Sequence, residues 1–131
     1  YAQLTRWIAK GRAMTEVNLT FRRNIFYRYE PPRSKPTNWF SGDWSRPDLV
    51  QFSSNVYWNA YGGESNFFPT NGLTSFSDWQ TTYGQDVGSE IVNPRFVNPS
   101  KHDYRLLPDS PALSRGFDPL DDVLRLKEKA R

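Results

Sequence analysis

Two short stretches of the chain share one order of apolar and polar positions. Residues 21–27 (FRRNIFY) and 52–58 (FSSNVYW) align without a gap at an offset of 31 residues. Phe falls on Phe, Asn on Asn, and a β-branched residue and two aromatic residues follow each Asn. Like residues stack on like residues in successive layers, or rungs, of parallel strands. The pattern therefore predicts a strand pair over 17–29, bent at Asn24, that is layered with a second rung over 49–59.

The Asn at each bend has two predicted tasks. Asn is one of the few residue types that tolerate the left-handed backbone conformation needed at a corner. Its side-chain amide can also form a hydrogen-bonded ladder with the Asn of the next layer. We therefore expect Asn24 and Asn55 to be left-handed corner residues with paired amides.

Three further elements follow from local signals. Ser75 and Asp78 have the spacing of a capping box, which predicts a short helix over 75–83 with Phe76 and Trp79 on one face. Residues 90–97 are typical of a third short strand, which Pro94 confines to an edge or a bend. Acidic residues at its start and basic residues near its end predict a terminal helix over 121–131.

Composition narrows the class of protein. Hydrophobic residues make up 37% of the 131 residues and aromatic residues 16%, with 10 prolines, which favours long aromatic loops over a helical core. The absence of cysteine excludes disulfides and thiolate sites, and a single His excludes a His-cluster metal site. We expect no cofactor and no metal. No run of 18 or more apolar residues predicts a membrane span.

The net charge of +3 is unevenly distributed. Residues 1–50 hold nine Lys and Arg against four Asp and Glu, whereas residues 51–131 hold eight against ten. A basic half can attract a polyanion, but no nucleic-acid motif accompanies it, so nucleic acid is not an expected partner. Because the chain opens on Tyr1, we expect a piece of a larger protein, with further rungs on the same or another chain.

A resemblance is carried by a series of motifs along the second half of the chain. In order they are 55–59 (NVYWN), 76–80 (FSDWQ), 84–86 (GQD) with Ser89, 93–97 (NPRFV), 103–113 (DYRLLPDSPAL) and 116–117 (GF). This order resembles the C-terminal part of bacterial right-handed parallel β-helix proteins that act on carbohydrates. The resemblance implies an all-β fold, a right-handed parallel β-helix (solenoid), with C-terminal rungs, long loops and a short terminal helix. Residues 1–98 would form the rungs, with an aromatic loop inserted at 30–48, and 99–131 a Pro-rich tail with a capping helix.

The same resemblance implies a function. Such proteins are mostly secreted or periplasmic enzymes that degrade polysaccharides, so the expected partner is a polysaccharide or oligosaccharide. Of the activities found on these proteins, a glycoside hydrolase is preferred. The alternatives are a polysaccharide lyase acting on an acidic glycan, and a non-catalytic module that binds glycan or serves as a scaffold.

Candidate site residues come from the aromatic loop and the basic half. Indole faces stack on sugar rings, so Trp39 and Trp44 are predicted to bind substrate; the alternative is that both cover the stacked rungs. Hydrolysis needs two carboxyl groups, for which Asp43 and Glu16 are the candidates. Positive charge for an acidic glycan could come from Arg6, Arg22, Arg23 and Arg28, of which Arg6 and Arg22 are preferred. Adjacent strand residues point to opposite sides, so at most one of Arg22 and Arg23 faces a given groove.

Other polar residues are assigned to the fold. Asp86 follows Gly84 in a turn and is predicted to bind neighbouring backbone amides. Asp103, Asp109 and His102 are predicted to be turn residues.

Overall fold

The computed structural model of the chain describes residues 19–29, 37–39, 47–62, 65–66 and 75–118. The terminal helix predicted over 121–131 lies outside these ranges, as do most of the aromatic loop and the first residues of the predicted first rung.

Four short strands form the stacked repeat that the sequence predicts. Strands β1 (Leu19–Arg22) and β2 (Ile25–Arg28) lie beside β4 (Val50–Ser53) and β5 (Val56–Asn59). Strand β1 pairs in parallel with β4, and β2 with β5, with Phe21 opposite Phe52. The alignment of the two copies at an offset of 31 residues is therefore confirmed.

Aromatic rings stack between the two layers of this repeat. The ring centroids of Phe21 and Phe52 lie 4.9 Å apart at an interplanar angle of 10°, and those of Phe26 and Tyr57 lie 4.9 Å apart at 8°. In-register parallel strands place equivalent side chains at about the inter-strand spacing of 4.8 Å. The register of the backbone thus fixes the ring stacking.

The bends between the strands differ in one respect from the prediction. Arg23 (φ 54°) and Ser54 (φ 53°) are left-handed, and not the Asn residues that follow them. The predicted amide ladder is confirmed, since Asn24 Nδ2 donates to Asn55 Oδ1 at 3.2 Å. Asn55 Oδ1 also accepts from the Asn24 backbone amide at 2.9 Å. The Asn side chains are therefore used between layers, and the preceding residue makes the corner.

The layering beyond the second copy is incomplete. Strand β7 (Glu90–Ile91) pairs in parallel with β5, which gives the sheet order β2-β5-β7. Among the described residues, no third strand pairs with β4. Its place is taken by an isolated backbone bridge between Ser53 and Val87, and by the side chain of Gln85. The Gln85 amide accepts from the Phe52 backbone N–H at 2.9 Å and donates to the Val50 carbonyl at 2.9 Å. A side chain thus satisfies the edge of β4 that a third strand would have used.

The remaining strands form two further sheets. Strands β3 (Thr37–Asn38) and β6 (Ser65–Asn66) make a short parallel pair, and β8 (Phe96–Asn98) and β9 (Asp103–Leu106) an antiparallel pair. Short 3₁₀ helices occur at Pro47–Leu49, Pro99–Lys101 and Leu113–Arg115. The strand predicted over 90–97 is divided between β7 and β8, and Pro94, which has no N–H for a ladder, lies in the break.

The prediction of an all-β, right-handed parallel β-helix is wrong for the described residues. Their strands form four small separate sheets, three parallel and one antiparallel, beside a helix, and no closed solenoid is present. This part of the chain is mixed α/β. Three local features end the layering: the Gln85 side chain replaces a strand, Pro94 interrupts one, and the turn at Pro99–Lys101 reverses the chain into an antiparallel hairpin.

The predicted helix is confirmed with its capping box. Helix α1 (Phe76–Tyr83) begins after Ser75, whose Oγ accepts from the Asp78 N–H at 3.1 Å, while Asp78 Oδ2 accepts from the Ser75 N–H at 3.3 Å. Gly84 ends it in the left-handed conformation (φ 61°). Nowhere in the described ranges is a helix long and apolar enough to span a membrane.

Two buried apolar clusters hold these elements together. The first packs Trp79 of α1 against strands β4 and β5, and its buried members are Leu49, Val50, Phe52, Tyr57 and Trp79. The second joins β5 to the hairpin and the C-terminal turns through Val56, Leu106 and Ala112. The second cluster places β9 and the described C-terminal residues beside β2, where a groove forms.

Candidate functional site

A buried carboxylate joins the stacked repeat to the helix. Asp86 is fully buried, and its Oδ1 accepts from Asn55 Nδ2 at 2.9 Å and from Ser89 Oγ at 2.7 Å. Its Oδ2 accepts from the Tyr57 hydroxyl and from Trp79 Nε1, both at 2.8 Å. The predicted role of Asp86 in the fold agrees with this geometry, although its side-chain oxygens bind four side chains and not the expected backbone amides. A carboxylate enclosed in this way has no access to a substrate.

The Tyr57 hydroxyl is buried in this network beside Asp86. Burial, together with the Asp86 carboxylate beside it, raises the pKa of Tyr57 far above its ordinary value of 10.0. Since the folded-state pKa is raised, the stabilisation is fully present below the unfolded pKa and is lost as the pH rises above it.

Replacing Tyr57 with Phe is expected to lower the free energy of unfolding by about 1–2 kcal/mol at neutral pH, because Asp86 loses one donor. The substitution should also remove part of the loss of stability that the natural chain shows above about pH 10. Urea titrations of both proteins across that range measure this difference. Parallel stability curves for the two proteins would contradict it.

A groove lined by aromatic residues lies between β2 of the stacked repeat and the β8–β9 hairpin, away from the buried Asp86. It has a volume of about 500 Å³, which is within the range of small-molecule sites. One wall is formed by β2 and the residue after it, and the other by the β8–β9 hairpin and the C-terminal turns. The apolar and aromatic residues that line it are Ile25, Tyr27, Tyr29, Phe96, Tyr104, Leu106 and Phe117. We call this feature the aromatic groove.

The rings of the aromatic groove contact one another in series. Tyr27 meets Phe96 edge to face at a centroid distance of 5.1 Å, and Phe96 meets Tyr104 in the same way at 5.3 Å. Tyr27 and Tyr29 are stacked at 6.4 Å with an interplanar angle of 11°. Tyr29 remains 51% exposed and Tyr104 38% exposed. Ring surface is therefore accessible in the groove, while the edge-to-face contacts hold the rings in place.

Polar groups border the aromatic rings. Arg23, Asn24 and Asp118 complete the lining of the groove, so it contains one cationic, one amide and one anionic side chain. Partial burial, followed by the neighbouring hydroxyls of Tyr29, Tyr104 and Tyr61, raises the pKa of Tyr27 above its ordinary value. The phenol of Tyr27 therefore stays protonated at neutral pH and can donate a hydrogen bond.

Three other described carboxylates are paired with arginine at the surface. Glu90 pairs with Arg115, and Asp109 with Arg95 at 2.9 Å. Asp103 binds Arg105 at 2.7 Å, and this contact lowers the pKa of the Asp103 carboxyl. Within the described ranges no group of three or more His, Cys, Asp or Glu residues is placed to hold a metal ion. Asp118 is the one described carboxylate that lines the aromatic groove.

Of the candidate site residues that the structure describes, Trp39 and Arg22 do not line this groove, whereas Arg23 does. Trp39 is half-buried and packs edge to face on Tyr57 at 5.4 Å, with the Arg28 guanidinium 4.6 Å from its ring centroid. Arg22 is exposed at the end of β1 and does not line the groove. The other four predicted site residues, Arg6, Glu16, Asp43 and Trp44, lie outside the described residues. The structure thus places Trp39 against the stacked repeat, which was the alternative to a sugar-binding position.

The sequence does contain a signal for the groove residues. Tyr27 and Tyr29 are two residues apart at the end of a predicted strand, and residues at this spacing share a face of a strand. Tyr104 and Leu106 have the same spacing in the predicted Pro-rich tail, for which no strand is predicted. Pairing of β8 with β9 places Phe96 opposite Leu106. The association of β2 with this hairpin depends on tertiary packing, which the sequence pattern does not encode.

The chain was compared with protein-family models, with curated proteins and with solved structures, and no match was found in any of the three comparisons. The resemblance to carbohydrate-active proteins therefore stays a prediction.

Proposed function

We propose that this chain is a glycan-binding module whose aromatic groove receives sugar rings. The observation that carries the proposal is the series of partly exposed tyrosines, Tyr27, Tyr29 and Tyr104, along one groove with polar side chains at its border. A sugar ring has C–H groups on its faces and hydroxyl groups around its edge. It therefore matches a surface that offers aromatic faces beside hydrogen-bonding groups.

The polar border suits the hydroxyl groups of a sugar. Arg23 supplies donors only, the Asp118 carboxylate supplies acceptors, and the Asn24 amide and the tyrosine hydroxyls supply both. A purely apolar ligand would cover Arg23 and Asp118 without forming hydrogen bonds to them, and burial of unpaired polar groups is unfavourable. This combination supports a ligand with hydroxyl groups over a lipid or a hydrocarbon.

Binding is favoured over catalysis for the described residues. Glycoside hydrolysis generally requires two carboxyl groups on either side of the bond, and Asp118 is the one described carboxylate in the groove. The predicted pair, Glu16 and Asp43, lies outside the described residues. A hydrolase or lyase activity, and a secreted or periplasmic location, therefore remain predictions for the protein that contains this module.

Replacing Tyr104 with Ala is expected to weaken glycan binding about tenfold, because one exposed ring face of the groove is lost. Affinity electrophoresis in gels that contain xylan, β-glucan or polygalacturonate would identify a bound polysaccharide and measure the change. Tyr104→Phe, which keeps the ring, should retain most of the affinity. Val97→Ala is a control, since Val97 is 43% exposed and lies outside the groove.

Two results would overturn the proposal. One is the absence of retention by every polysaccharide. Binding of a polyproline peptide in that case would identify the groove as a site for extended proline-rich segments, which aromatic grooves also bind. The other is a polysaccharide affinity that Tyr104→Ala and Val97→Ala leave equally unchanged. Circular dichroism of each variant would show whether the fold is retained.

A further inference from the structure

The series of aromatic rings continues beyond the groove. Tyr61, which does not line the aromatic groove, packs on Tyr29 with a centroid distance of 5.2 Å and an interplanar angle of 57°. Its side chain is 47% exposed, close to the 51% exposure of Tyr29. From Tyr104 the rings follow in the order Tyr27, Tyr29 and Tyr61, with centroid distances of 6.4, 6.4 and 5.2 Å.

A tight turn fixes the position of Tyr61. The Asn59 side chain accepts from the Tyr61 N–H at 3.2 Å and donates to the Gly62 carbonyl at 2.9 Å. The Gly62 N–H donates to the Asn59 carbonyl at 3.0 Å, and Gly62 has a positive φ of 72°, which glycine adopts without steric penalty. Because Asn59 ends β5, the stacked repeat anchors the turn. These bonds hold the backbone that carries the Tyr61 ring, and the ring itself packs on Tyr29. A backbone held before a ligand binds lowers the entropy lost on binding.

We propose that the binding surface extends from the aromatic groove across Tyr29 to Tyr61, and that its ligand is an oligosaccharide or polysaccharide chain. This inference rests on the proposed function and adds the length of the ligand to it. A single sugar can occupy the groove without reaching Tyr61. Contact with Tyr61 requires a ligand that leaves the groove over Tyr29, as the neighbouring units of a sugar chain would.

The chemistry of the extension resembles that of the groove. Desolvation, followed by the charge and hydroxyl of Tyr29, raises the pKa of Tyr61, so its hydroxyl stays protonated at neutral pH. Tyr29 and Tyr61 each present a ring with a hydroxyl group at its tip. A sugar unit at this position would meet the same pair of contacts as a unit in the groove.

The test compares ligands of increasing length on the full chain. Isothermal titration calorimetry would be performed with the oligosaccharide series of the polysaccharide retained in the gels, for example xylose to xylohexaose for xylan. Tyr61→Ala is expected to weaken binding of the longest oligomer about tenfold and to leave the shortest one that binds within about twofold. Tyr61→Phe is the matched control and should bind every length much as the natural chain does.

The outcomes separate the two proposals. An equal loss at every length, or no loss at any length, would overturn the extension to Tyr61 while the groove stays a glycan site. Failure of the natural chain to bind any oligosaccharide or polysaccharide would overturn the proposed function, and the extension with it. Tyr104→Ala, measured in the same series, should weaken binding at every length, because Tyr104 lies within the groove.

Discussion

Replacing Asp86 with Ala is expected to lower the free energy of unfolding by about 4 kcal/mol or more, enough to leave much of the chain unfolded. The substitution removes the acceptor of four side-chain hydrogen bonds in a fully buried position. Each donor left without a partner costs about 1–3 kcal/mol, although such contributions are not additive within one network. Equilibrium denaturation in urea measures the change.

The choice of replacement sharpens this test. In Asp86→Asn an amide group takes the place of one carboxylate oxygen. The new amide N–H₂ group can replace either carboxylate oxygen. In the place of Oδ2 it faces the Trp79 N–H, which can only donate. In the place of Oδ1 it faces the N–H₂ group of Asn55, which is also a donor. Asn also tolerates the left-handed backbone of this position (φ 54°), so the main loss is one hydrogen bond. Asp86→Asn should therefore fall between Asp86→Ala and the natural chain.

Asp109→Ala provides the matched control for Asp86→Ala. Asp109 is an exposed carboxylate in a surface ion pair with Arg95, and such pairs contribute about 0–1 kcal/mol. A result in which Asp86→Ala and Asp109→Ala lose similar stability would show that the buried carboxylate does not hold the helix to the repeat.

Replacing Asn55 with Ala is expected to cost about 3 kcal/mol, the second-largest effect. The buried Asn55 amide accepts from the backbone and side-chain N–H groups of Asn24, and it donates to the Phe21 carbonyl at 3.1 Å and to Asp86. It is thus the central member of a ladder that joins both copies of the repeat to Asp86. Its loss should reduce the cooperativity between the repeat and helix α1 as well as the stability.

Thermal unfolding followed separately by near- and far-ultraviolet circular dichroism would test the Asn55 prediction. Asn93→Ala is the control, because Asn93 is exposed and its side chain accepts one hydrogen bond, from the Arg95 N–H at 2.9 Å. The control should lose less than about 1 kcal/mol. Equal losses of stability in Asn55→Ala and Asn93→Ala would mean that the Asn ladder stabilises the fold no more than the hydrogen bond of a local turn does.

The part of the fold that was predicted correctly depends on local patterns. The match between the two repeat copies predicts their register, because a shift by one residue would bring Phe21 opposite a polar residue and move its side chain to the other face. The capping box at Ser75 and Asp78 predicts where α1 begins. The register is encoded by direct repetition of a motif, and the start of the helix by two residues three positions apart.

The fold prediction fails where a side chain forms the hydrogen bonds that a backbone strand was expected to form. Gln85 takes the place of a third strand beside β4, and no sequence pattern distinguishes such a glutamine from a surface one. For this reason a correct register was extended to a solenoid that the described residues do not form. For the candidate site, the tryptophan content favours Trp39, which packs on Tyr57, whereas the most exposed aromatic rings of the described residues are tyrosines. Most of the other predicted site residues lie outside the described ranges.

The short strand β7 affects how the chain behaves at high concentration. A parallel sheet that ends in a long, flat strand exposes a row of unpaired N–H and C=O groups on which another molecule can add a strand. Here the outer strand of the sheet β2-β5-β7 has two residues, and one of them, Glu90, is charged and paired with Arg115. Arg115 also donates to the Gly88 carbonyl just before this strand at 3.0 Å. This margin of the sheet is therefore a poor template for self-association into fibrils, even though the layers beneath it stack aromatic rings.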